Sequence, residues 1–214
     1  RDGGGFDAAD MGGFGASTGL FAGWGTEINN WTLGVEFDAG TSDAGWYHKK
    51  DKPEAPTVYV DKDDSLGLSA RVGYQLDGGL LYGKLGAVRT RFHTYDTDNN
   101  NVAGAADMKH RETGTRLGMG LEIPASRNLF VRTDYSFTRY GDYDVTYQPL
   151  AGAPVTETFE TDDAVFSLGL GWRFGGERPA VATRAATELR GLYAGAHLGH
   201  GTVGTELTGV HDIG

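Results

Sequence analysis

Six histidines, His48, His93, His110, His197, His200 and His211, are the residues in this chain best equipped for chemistry. A metal centre or a Ser/His/acid relay needs such imidazoles on one face, beside carboxylates or a hydroxyl. His197 and His200 are three residues apart, a spacing that sends them to opposite faces of a strand and rules out a shared metal. The other four fall in loops or at strand ends. Ser17 and Ser136 are candidate nucleophiles for a hydrolase of membrane lipid, and nothing in their spacing favours that assignment. Two runs, Asp96 to Asn100 and Asp61 to Asp64, space their oxygens as a Ca²⁺ loop does. The first lacks the glycine and distal glutamate of an EF-hand, so a solvated loop is the simpler reading and weak divalent binding the alternative. No catalytic residue, cofactor or metal is expected.

The ionised residues follow a different order. Residues 129–137 alternate Leu129, Val131, Thr133, Tyr135 and Phe137 with Phe130, Arg132, Asp134 and Ser136; residues 164–174 alternate Ala164, Phe166, Leu168, Leu170, Trp172 and Phe174 with Val165, Ser167, Gly169, Gly171 and Arg173. Side chains alternate across a strand with period two, so each segment has one apolar and one mostly polar face. The same pattern recurs over residues 13–26, 31–39, 66–76, 80–92, 115–123 and 191–202. Collected from the polar faces are Glu36, Asp38, Glu122 and Asp134 against Arg71, Lys84, Arg116, Arg132 and Arg173, with His197 beside them. These charges share a face with most of the glycine, the reverse of a soluble lipocalin-type barrel. Charges in a narrow interior persist only when paired. The first expectation is therefore an ion-pair plug, and a gated or very narrow ion path is the alternative.

What must position these residues is a meander of antiparallel strands. Short connections at 27–30, 77–79 and 124–127 alternate with long polar ones at 41–64, 93–113 and 141–161. Short turns at one rim and long loops at the other are the habit of transmembrane β-barrels. Trp24, Trp31, Tyr74, Trp172 and Phe174 sit near the short-turn ends of their strands, where an interfacial girdle would lie. No apolar run approaches the roughly 18–20 residues of a membrane helix. A hydrophobic content of 39% suits a wall that shows lipid every second residue, and the net charge of −10 argues against nucleic acid as a partner. The chain of 214 residues has no cysteine and 35 glycines, which fits one all-β domain. No signal peptide is visible at Arg1, so a processed or excised chain is expected.

Several segments resemble the small eight-stranded outer-membrane β-barrel family, the opacity-type and OmpA-transmembrane-like group. GLYAGAHLGHG is similar to that family's first strand, WTLGVEFDAG to its third and SARVGYQLDGGLLYGKLGAV to its central hairpin. GLEIPASRNLFVRTDYSFTRYGDY resembles its sixth and seventh strands, and FSLGLGWRF its closing strand. The resemblance implies an all-β, eight-stranded antiparallel up-and-down barrel in the outer membrane of a Gram-negative bacterium, with the long loops extracellular. It implies as partners outer-membrane lipid, lipopolysaccharide and the insertion machinery, which in the family reads a terminal aromatic corresponding to Phe174. The order departs from the family, because the first-type strand comes last. Residues 1–174 hold seven strands, 175–190 a linker on the short-turn side and 191–214 the eighth strand, closing the barrel. A circular permutation and a register cut from tandem barrels both produce this order, leaving further barrel repeats or neighbouring subunits as possible partners. The expected role is non-enzymatic and structural or surface-exposed. The alternatives are a porin-like channel for small solutes and, further off, a lipid-modifying enzyme.

Overall fold

Two two-residue turns set the register of the hairpins they close. Asn29 adopts a left-handed φ of 59°, a conformation asparagine tolerates better than most residues. The turn at Asn29–Asn30 places Ile28 opposite Trp31, and the turn at Asp77–Gly78 places Leu76 opposite Gly79. Because the side-chain period is two, each turn then decides which residues of the following strand face inward.

The computed structural model describes residues 8–49, 57–96, 108–147, 155–174 and 191–208. In chain order the strands are β1 (Ala8–Ile28), β2 (Trp31–Ser42), β3 (Gly45–Lys49), β4 (Thr57–Leu76), β5 (Gly79–Asp96), β6 (Met108–Pro124), β7 (Leu129–Tyr140), β8 (Tyr143–Tyr147), β9 (Val155–Phe174) and β10 (Gly191–Thr208). β3 and β8 continue the staves begun by β2 and β7, pairing with β4 and β9 respectively. Each neighbour pairing is antiparallel, and β10 pairs with both β1 and β9, which closes an eight-stave barrel.

The apolar bulk is on the outside. Leu20, Leu68, Leu85, Leu117, Leu168, Leu170 and Leu198 are all exposed on the outer wall, while Arg132 and Glu122 are buried within. Trp24, Trp31, Tyr74, Trp172 and Phe174 are exposed on that wall. Trp31 stands opposite Tyr74, with ring centroids 5.1 Å apart.

The staves run further than alternation in the sequence indicates. Residues 45–49 and 57–64, read as part of a long loop, are strand, as are 93–96, 108–113, 143–147, 155–161 and 203–208. Charged and polar residues break into both faces there, so no unbroken apolar stripe reveals a strand, yet backbone pairing continues. The Asp61 to Asp64 run is thus not a loop: it lies in β4, with a bulge between Lys62 and Ser65. In the other run Asp96 ends β5, and residues 97–100, like the 175–190 linker, lie outside the described residues.

Candidate functional site: the charged lumen

The lumen is built in layers, and the layer nearest the short turns draws one side chain from every stave. β1 supplies Phe21, β2 Glu36, β4 Arg71, β5 Tyr82, β6 Glu122, β7 Arg132, β9 Arg173 and β10 Tyr193, all buried. Glu122, fully buried, accepts from three arginines: Arg71 Nη2 at 2.8 Å, Arg132 Nη2 at 2.8 Å and Arg173 Nη2 at 2.9 Å. Glu36 Oε2 accepts from Arg132 Nη2 at 2.6 Å and from the Tyr193 hydroxyl at 2.9 Å, and lies 3.2 Å from Arg71 Nη1. Arg71 Nη1 also donates to the Tyr193 oxygen at 2.6 Å.

Aromatic rings cover what the carboxylates leave open. Arg71 lies 3.8 Å over the Tyr82 ring, Arg132 3.9 Å over Phe21 and Arg173 4.3 Å over Phe130. Guanidinium groups are weakly hydrated and stack on such faces, which suits them to burial. Glycine makes the room: a Cβ at Gly171 would fall within the Phe130 ring, and one at Gly120 against the Tyr82 hydroxyl.

Above this layer the charges pair off singly. Lys84 Nζ is 2.8 Å from Asp134 Oδ1, and the Tyr82 hydroxyl donates to Asp134 Oδ2 at 2.5 Å. Arg116 Nη1 donates to both Asp38 oxygens, at 2.8 and 2.9 Å. Higher still, Lys62 pairs with Asp163, whose Oδ2 also accepts from Tyr140 at 2.7 Å. A cavity of about 60 Å³ lies among these pairs, lined in part by Asp38, Lys84, Arg116 and Asp134. Its polar walls and size suit a few ordered waters. Ser17, Ser136 and His197 border the same cavity. His197 stacks on Phe21 with ring centroids 6.3 Å apart, while His200 is exposed outside against Phe14.

All nine charged residues singled out by spacing point inward and are ion-paired. Spacing did not single out Phe21, Tyr82, Tyr193, Phe130, Lys62, Asp163 or Tyr140. The parity that marked Arg132 as inward also marks Phe130, Tyr82 and Tyr193. Lys62 and Asp163 sit in stretches where no apolar face announces a strand. Among the described residues no group of three or more His, Asp or Glu side chains is arranged to hold a metal ion.

A family model described as an outer membrane protein beta-barrel domain matches residues 2–174. A 25 kDa outer-membrane immunogenic protein of Brucella melitensis is 34% identical over 158 residues, covering 73% of this chain and 64% of that protein. Its counterpart in Brucella abortus is 33% identical with the same coverage, so the chain spans just under two thirds of the length of these relatives. Among solved structures, Ail, the attachment invasion locus protein of Yersinia pestis, aligns over 90% of this chain and 99% of its own at 11% identity, with a TM-score of 0.31.

Proposed function

Because the chain belongs to the outer membrane protein β-barrel domain family, we propose that it serves there as a non-enzymatic, structural and surface-displaying barrel, its lumen shut by the layer around Glu122. The observation that carries this is Glu122 itself, buried without exposure and bound by three arginines that reach it from three other staves. A solute passing through would have to separate charges whose desolvation is already compensated by one another, at several kcal/mol for each uncompensated ion. The long connections from Lys49 to Thr57, Asp96 to Met108 and Tyr147 to Val155 all leave from one rim. On this reading that rim faces outward, its partners being lipid, lipopolysaccharide and whatever the loops meet. Ser17, Ser136 and His197 face the cavity of about 60 Å³, where the Ser17 hydroxyl has no hydrogen-bond partner among the described residues and so no relay to the imidazole, which favours the non-enzymatic reading.

A narrow ion path is the second reading, favoured by that polar cavity above the Glu122 layer. Planar-bilayer recording separates the two. The closed barrel gives no single-channel steps, while a Glu122→Ser, Arg132→Ser double variant conducts. Steady steps from the unaltered protein that change when Arg132 or Glu122 is neutralised would establish the channel instead.

A further inference from the structure

The outer wall is not uniform toward the long-connection rim. On β1 the outward positions from Trp24 to Phe14 carry no formal charge, and neither do those of β10 from Leu192 to Thr202. On β5 the outward series Leu81, Gly83, Leu85, Ala87 gives way to Arg89 and Arg91; on β6 Leu121, Met119, Leu117, Thr115, Thr113 gives way to Arg111 and Lys109. Arg89 lies eight residues beyond Leu81, which at strand rise and barrel tilt is about 20 Å up the wall. That is the height at which an apolar belt of roughly 25 Å meets the headgroups.

The register brings these cations together. Arg91 is directly opposite Arg111, and Arg89 is opposite Thr113, one alternate position further down. Like charges directly opposite on one face of a sheet destabilise it. Arg91 is relieved by Asp64, 2.9 Å away on β4. Arg89, Arg111 and Lys109 are exposed and have no ion pair among the described residues. Acids flank the cluster without entering it: Asp61, Asp63 and Asp64 lie on β4, Asp142 is exposed between β7 and β8 alongside Thr113, and Glu160, which pairs Arg139, lies with Asp162 on β9. The centre, on β5 and β6, presents only cations outward.

We propose that Arg89, Arg111 and Lys109 form a docking site for the phosphate groups of an anionic glycolipid in the adjoining leaflet. Charge complementarity at headgroup depth carries the assignment. Guanidinium forks match phosphate oxygens two at a time, and one phosphate between β5 and β6 neutralises the Arg91–Arg111 repulsion. Assigning the glycolipid to the outward leaflet rests on the orientation proposed above; the docking chemistry does not.

The test uses the protein refolded into phosphatidylcholine vesicles, with and without a bis-phosphorylated glycolipid in both leaflets, so barrel orientation does not affect the result. The midpoint of thermal unfolding should rise when glycolipid is added. An Arg89→Gln, Lys109→Gln, Arg111→Gln variant should unfold normally in phosphatidylcholine and lose most of the rise. Each cation removed should weaken glycolipid binding by about fivefold. Arg111→Gln alone gives a partial loss and serves if the triple variant folds poorly, and Arg127→Gln, at the opposite rim, keeps the full rise. An equal rise in the triple variant, a rise undiminished with dephosphorylated glycolipid, or the same rise from inorganic phosphate alone would each overturn the proposal. Orientation is read separately, by protease or label access to the long connections in intact cells.

Discussion

The two halves of the lumen hold similar numbers of charges and handle them differently. Toward the short turns, Glu36 and Glu122 meet Arg71, Arg132 and Arg173 in one shared network, with a surplus positive charge stacked against rings. Toward the long connections, Asp38, Asp134 and Asp163 each take one cation, Arg116, Lys84 and Lys62, around a small polar cavity. The first arrangement shares each carboxylate among several donors, and of its members Phe21, Glu36 and Arg132 also line the cavity. The second leaves space for water to share the load. A barrel of eight strands has an interior that side chains can just fill, so the difference lies in which side chains fill it. Phe21, Phe130, Tyr82 and Tyr193 surround the lower network, whereas the upper pairs share their space with serines at the cavity and with Phe92 and Tyr140 above it.

Substitutions can break that contrast. The largest effect is expected from Glu122→Leu, which strands three buried arginines on one remaining acid; about 3–5 kcal/mol of stability should be lost, read by urea unfolding in vesicles. A loss under about 1 kcal/mol would mean water already reaches the lower layer. Lys84→Met in the upper half should cost less, about 1–3 kcal/mol, because Asp134 keeps the Tyr82 hydroxyl and a cavity that admits water. A cost equal to that of Glu122→Leu would erase the distinction.

Double-mutant cycles sharpen it. Arg132 and Glu36 should couple by about 0.5–3 kcal/mol within the lower layer, while Arg132 and Asp163, in separate layers, should add within about 0.5 kcal/mol. The smallest effect belongs outside: Asp64→Asn removes the exposed partner of Arg91 and should change stability by no more than about 1 kcal/mol in the same assay.

How much of this was readable beforehand divides along the same line. In the lower half each strand has an apolar and a polar face, so Arg132 and Glu122 were legible as inward residues from spacing alone. Which carboxylate would be shared by three arginines was not, because that depends on barrel stagger and on rings from other staves. In the upper half the strands leave the apolar belt, and charged residues interrupt both faces. The stretch Asp61 to Asp64 then has the composition of a loop, although it is a bulged strand whose Lys62 reaches Asp163. Pairing there is held by the backbone ladder, which composition does not reveal.

A dry lower layer can be tested most directly through the exchange of arginine side-chain N–H protons in vesicle- or disc-embedded protein, followed by NMR after transfer to D₂O. The guanidinium protons of Arg132, which contact Glu36 and Glu122 and lie against Phe21, should persist far longer than those of Arg139, whose side chain is 65% exposed. Arg116, which meets the single carboxylate of Asp38 at the cavity that Arg132 also lines, should fall between Arg132 and Arg139. Exchange of Arg132 as fast as that of Arg139 would contradict a sealed lumen.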